Sequence, residues 1–145
     1  MKSNFNDKQI QILEVAETLF AEKGFDGTSI RDISKIAKIN IAMISYYFGS
    51  KERLLESLLF YRTSDLKNQL DHLIQEELEP IDKINKLIEL YINRINKNKG
   101  IYRILHFEFN SEKRAESLAA FSELKKGNLK TLETIIEEGQ KKRSF

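Results

Sequence analysis

The stretch KINIAMISYYFGSKE, Lys38 to Glu52, decides how the chain is read. No charged side chain lies between Lys38 and Lys51, although 32% of the chain is charged. Ile39, Ile41, Met43, Ile44, Tyr46, Tyr47 and Phe48 crowd into it. Such a segment is too apolar for a solvated helix and too aromatic to be wholly enclosed in a small lobe. Helical spacing from Ile41 to Phe48 turns Ile41, Ile44 and Phe48 inward and leaves Ala42, Met43, Ser45, Tyr46 and Tyr47 outward. Asn40 is placed to cap this helix, Gly49 to end it, and Ser50 to cap the next.

Upstream, a first helix begins near Asn6 or Asp7, with Asn6 and Gln9 spaced as a capping box. Ile10, Leu13, Ala16, Leu19 and Phe20 form its apolar face, and Gly24 stops it. Asp26-Gly27 is a turn signal, and Thr28 is the expected N-cap of a short second helix. That helix turns Ile30, Ile33 and Ala37 inward, and Arg31, Lys35 and Lys38 outward. Two short helices separated by Lys38-Ile39-Asn40 have the spacing of a helix-turn-helix, whose second helix enters the DNA major groove. Against DNA the outward set has a use. Ala42 and Met43 suit thymine methyl groups, and Ser45 suits either kind of base edge. The Tyr46 and Tyr47 hydroxyls can bind phosphate oxygens. Positive charge comes from the flanks: Arg31, Lys35, Lys38 and Lys51, the last near a helix N-terminus that already favours phosphate.

Downstream the pattern stays helical, so the fold class is all-α. Leu54, Leu55, Leu58, Leu59, Leu66, Leu70, Leu73 and Ile74 predict one long amphipathic helix from Ser50 to about Leu78. Pro80 opens a fifth helix lined by Ile84, Leu87, Ile88, Tyr91, Ile92 and Ile95, and NKNKG (Asn96 to Gly100) closes it. A sixth covers about Ile101 to Phe109. A seventh runs from about Glu112 to Glu138, weakened at Gly127 and ended by Gly139.

Composition narrows the chemistry. With 145 residues and one Pro, the chain can bury a real core. It has no Cys and two His, so neither disulfides nor a thiolate metal site is expected, and a cytoplasmic compartment is indicated. No apolar run approaches a membrane span, so no membrane partner is expected. A formal net charge of +2 decides nothing about nucleic acid; only the local arrangement does. There is no phosphate-cradling glycine loop and no placed nucleophile and base, so neither an enzyme nor a cofactor is expected. The competing reading is a helical protein–protein interaction module, with Tyr46 and Tyr47 as interface anchors.

The segment Ile12 to Leu55, ILEVAETLFAEKGFDGTSIRDISKIAKINIAMISYYFGSKERLL, resembles the N-terminal lobe of TetR-type transcriptional regulators. LFAEKGFDGTSIRDI and YYFGSKERLL carry the likeness. It implies a helix-turn-helix DNA-binding domain over residues 1–49, and a helical ligand-binding and dimerisation lobe over 50–145 joined by the long fourth helix. It further implies a homodimeric repressor on a near-palindromic operator, released by a small-molecule inducer. By the resemblance, Thr28, Tyr46, Tyr47 and Lys51 match phosphate-binding positions, and Ala42, Met43 and Ser45 match base-facing ones. The chain departs from the family pattern at Lys38, where the turn often has Gly, at Tyr47, where His is common, and at Ser45, where Tyr is common. It also stops before two further helices that usually pair in the dimer, so a fragment is expected. Tyr61, Tyr91, Tyr102, His106, Phe109 and Phe121 are the expected pocket residues, against the plainer reading that helically spaced aromatics are core.

Overall fold

The computed structural model describes residues 4–109 and 119–145, and the side chains of all of these except Phe109, Ala120 and Phe121. Eight helices lie among the described residues: α1 (Asp7–Lys23), α2 (Ile30–Ala37), α3 (Ile41–Phe48), α4 (Lys51–Thr63), α5 (Leu66–Gln75), α6 (Pro80–Lys97), α7 (Lys99–Phe109) and α8 (Ala119–Lys141). The all-α expectation holds.

Local signals place the first helices. Asn6 and Gln9 form the capping box of α1 in both directions, at 2.8 and 2.9 Å. Asn40 Oδ1 accepts from the Ala42 N–H at 2.7 Å, and Ser50 Oγ from the Arg53 N–H at 3.1 Å. Thr28 does not cap α2. Ser29 does, in a reciprocal box with Asp32, whose carboxyl is held below its ordinary value by the Ser29 backbone N–H. The Thr28 hydroxyl instead donates inward to the Gly24 and Leu19 carbonyls.

The expected long fourth helix is interrupted at Ser64–Asp65. Its cause lies far along the chain. Arg94 Nη2 donates to the Arg62 carbonyl at 2.8 Å, taking an acceptor that an unbroken helix would offer to residue 66. Thr63 Oγ1 donates to the Leu59 carbonyl at 2.6 Å, a bond that bends helices.

Inside α6 the expected apolar face holds in part: Ile84, Leu87 and Tyr91 join the second core, but the other three isoleucines do not. Pro80, Lys83, Leu87 and Arg94 are buried, whereas Ile88, Ile92 and Ile95 are exposed. Two buried cations sit at helix ends. Lys83 Nζ donates to the Ile74 carbonyl at the end of α5 and to Glu138, and Arg94 serves the end of α4. Cations are favoured where carbonyls point out of a helix C-terminus, and here that preference outweighs apolar periodicity. Asn98 alone separates α6 from α7, so the expected loop at Asn96–Gly100 shrinks to one residue. α8 runs through Gly139 to Lys141 and is not stopped there.

Two cores result. One gathers α1 to α4 with Ile101, Ile104 and Leu105 of α7. The other joins Leu66, Leu70 and Leu73 of α5 with Leu87 of α6 and Ile135 of α8. The packing therefore does not part at residue 49. α4 and α7 belong with the N-terminal head, and the Phe25 N–H donates to Glu108 of α7 at 3.4 Å.

Candidate nucleic-acid interface

The reading unit is built from α2, the turn and α3. The turn runs through Lys38, which holds the left-handed conformation (φ 55°, ψ 41°) usually given to glycine. Compensating bonds staple it: Ser34 Oγ to the Ile39 carbonyl at 2.6 Å, and Gln11 Nε2 of α1 to the Ala37 carbonyl at 2.9 Å. Ile39, within the turn, is buried. Replacing Lys38 with Gly is expected to stabilise the chain by about 1 kcal/mol, the order of the left-handed penalty for a residue with a Cβ. A denaturation curve checks this; a loss of stability would mean that the Lys38 side chain itself holds the turn.

α3 divides much as its spacing predicts. Ile44 and Phe48 are buried, and Ala42, Met43 and Ser45 are exposed. Tyr46 is 85% exposed, while Tyr47 is half-buried against the core, its ring 5.7 Å from that of Tyr46. Ile41 corrects the expectation: it is 40% exposed. It starts the helix beyond the reach of the core, and Ile39 fills the place it was assigned. Sequence reasoning therefore missed Ile41 as an outward residue. Its position in the first turn of the reading helix, where base contacts concentrate, was the available signal. Gly49 ends α3 at φ 84°.

Two expected phosphate ligands point elsewhere. Thr28 is 1% exposed and its hydroxyl is spent on carbonyls. Lys51 Nζ donates to the Phe25 and Thr28 carbonyls at 2.9 and 3.0 Å and sits 4.3 Å from the centre of the Phe25 ring. Lys51 braces the α1–α2 turn against α4, and the Thr28 side chain ties that turn back to the end of α1. Arg31, Lys35, Lys38 and Arg53 are the exposed cations around α3.

Of the four expected pocket side chains that are described, Tyr91 and Tyr102 lie close enough to influence one another. Tyr61 and Tyr102 pack against the first core and Tyr91 against the second, and His106 is exposed. The side chains of Phe109 and Phe121 lie outside the described residues. One cavity in the helical lobe, of about 500 Å³, lies between α5 and α6 and is lined mainly by polar groups, among them Asp65, Glu89 and Arg94. Another, of about 330 Å³, lies between α5 and α8. None of Tyr61, Tyr91, Tyr102 and His106 lines either cavity.

Comparison with known proteins bears on this geometry. A family profile described as bacterial regulatory proteins, tetR family, matches residues 12–58. The probable HTH-type transcriptional regulator YttP of Bacillus subtilis is 30% identical over 100% of the chain and 69% of its own length. The chain belongs to the TetR family. This TetR-family protein is also 32% identical to the transcriptional repressor NicS of Pseudomonas putida, over 92% of the chain and 64% of that protein. Among solved structures, the hemolysin II transcriptional regulator HlyIIR is 30% identical with a TM-score of 0.77, covering 95% of the chain and 75% of its own. The fatty acid degradation regulator FadR of Bacillus halodurans has a TM-score of 0.84 at 22% identity, a likeness of fold. As a TetR-family member the chain is a DNA-binding transcriptional regulator. Among the described residues, no helix is long and apolar enough to cross a membrane, and no cluster of three or more acidic or His side chains could hold a metal ion.

Proposed function

We propose that the chain reads an operator with α3 in the major groove, where Ala42, Met43 and Ser45 face base edges and Ile41 joins them at the helix start. Tyr46 and Tyr47 bind phosphates on either side, with Arg31, Lys35 and Lys38 adding charge. The observation that carries this reading is the uncharged, outward face of α3, which follows a braced turn and carries Tyr46 at 85% exposure. Residues 1–49 form the reading unit and 50–145 the regulatory one. The operator is a near-palindrome read by a homodimer, and a small molecule bound in the helical lobe releases the DNA, so that the regulator acts as a repressor. Two relatives are named repressors, NicS and KstR2 of Rhodococcus jostii, which supports that sign of regulation.

Fluorescence anisotropy with DNA from upstream of the chain's own gene, against a scrambled duplex at two salt concentrations, tests the reading. Preference for the native duplex with a steep fall in affinity as salt rises is expected. Binding that ignores both sequence and salt overturns it in favour of a protein-interaction module. Met43→Ala is expected to change the ranking of operator variants more than the overall affinity. An equal loss on every sequence would remove Met43 from base reading.

A further inference from the structure

The interruption between α4 and α5 is held by one side chain. Arg94 is 8% exposed and makes four hydrogen bonds across the break: to the Arg62 carbonyl at 2.8 Å, to both Asp65 oxygens at 3.1 and 3.2 Å, and to Gln69 at 3.1 Å. Burial works against its charge, but the Asp65 carboxylate more than restores it, with Tyr102 assisting. Its Nε–H is buried and has no acceptor in hydrogen-bonding geometry. Arg94 also lines the 500 Å³ cavity between α5 and α6.

From that joint a second pair leads to the head. Arg62, whose carbonyl Arg94 holds, sends its own guanidinium to Glu17 of α1 in a bidentate pair at 2.7 and 2.8 Å. Planar two-point pairing of this kind fixes orientation as well as distance. Glu17 also lies under Gly100 at the start of α7, where an added Cβ would stand 3.2 Å from its Cγ. One polar chain thus runs from the cavity wall to α1: Asp65 and Gln69, Arg94, Arg62, Glu17.

We propose that Arg94 is a positioning residue for the DNA-reading head, and that the Arg62–Glu17 pair carries the state of the α4–α5 joint to α1. The inference rests on the reading of residues 50–145 as the regulatory unit, whose cavity lies between α5 and α6. Filling or emptying the cavity acts first on the bonds of Arg94, because that side chain is both cavity wall and clasp of the break. Asp65 is the replaceable partner, since its side chain is 58% exposed and its bonds are longer than the 2.7–2.9 Å usual for charged pairs.

Amide hydrogen exchange on the whole chain tests the coupling without DNA or ligand. Asp65→Asn keeps the shape of the side chain and weakens its hold on the guanidinium. It is expected to speed exchange in α1 around Glu17 several-fold, although Asp65 has no bond to α1. In a Glu17→Gln background the same change is expected to add nothing there. Ile135→Val loosens the second core without touching the polar chain, and is expected to leave α1 unchanged. The proposal is overturned if Asp65→Asn acts only on α4 to α6, if the Asp65 and Glu17 effects simply add, or if Ile135→Val speeds α1 equally. Anisotropy on the same variants keeps the two readings apart. A coupled exchange result with no specific DNA binding by the parent chain would sink the operator reading and leave the joint standing.

Discussion

Replacing Phe48 with Ala is expected to destabilise the chain by about 3–5 kcal/mol, the range for emptying an aromatic site in a core. Phe48 is 6% exposed, closes the last turn of α3 over the first core, and meets the Phe5 ring at 6.4 Å between centroids. Phe5 in turn packs edge-on against Phe60 and Tyr61 of α4, so the cavity would open where the N-terminal arm, reading helix and α4 meet. A thermal melt followed by circular dichroism should show a fall in Tm of roughly 10 °C or more. Tyr46→Ala is the matched control two positions earlier. At 85% exposure it should change stability by less than about 0.5 kcal/mol while weakening DNA binding. If the two variants melt alike, the division of α3 into a buried and a reading face is wrong.

Lys51→Ala carries the second large effect, and its character separates two roles. The ammonium bridges the Phe25 and Thr28 carbonyls and rests on the Phe25 ring. Its removal takes the charged donor from both carbonyls, the Phe25 carbonyl keeping only the Thr28 N–H at 3.3 Å, and should cost about 2 kcal/mol, in the range for hydrogen bonds to a charged group. DNA affinity should then fall by the same factor on every sequence, because the whole head is loosened. The dependence of log affinity on log salt should keep its slope. A phosphate ligand behaves otherwise, its loss flattening the slope by about 0.9. Lys51→Ala with intact stability and a flatter slope would return this residue to the phosphate contacts that the family resemblance implies.

What could be read in the sequence follows the range of the forces involved. The caps at Asn6, Asn40 and Ser50 and the stop at Gly49 were legible, because each is settled within four residues by backbone groups left open at a helix end. The Thr28 and Ser29 neighbours were not separable, since both hydroxyls suit a cap and only the packing of Thr28 under Leu19 decides between them. The break after Thr63 was illegible for a different reason. Leu54 to Ile74 keep an unbroken apolar rhythm, and the group that cuts it belongs to α6. The same two cations explain the misread part of α6, where Ile88, Ile92 and Ile95 are exposed while Lys83 and Arg94 are buried beside Leu87. The outward residues of α3 were legible except at Ile41, where the periodicity is right but the core ends one turn too soon. The lobe's aromatics were the least legible part, because a side chain that fills a core and one that lines a cavity have the same spacing.

Asn98, the single residue between α6 and α7, bears on how this chain can change length over evolution. α6 packs in the second core and α7 buries Ile101, Ile104 and Leu105 in the first, so the two helices are geared together with no slack between them. One inserted residue there would turn α7 by about 100° relative to α6 and swing that apolar face out of the head. The loop between α5 and α6 is less constrained: Lys83 ties α6 to the Ile74 carbonyl, but both helices dock in the same core and Glu77 and Glu79 face solvent. Insertions and deletions among close relatives should therefore collect between Gln75 and Pro80 and avoid Asn98.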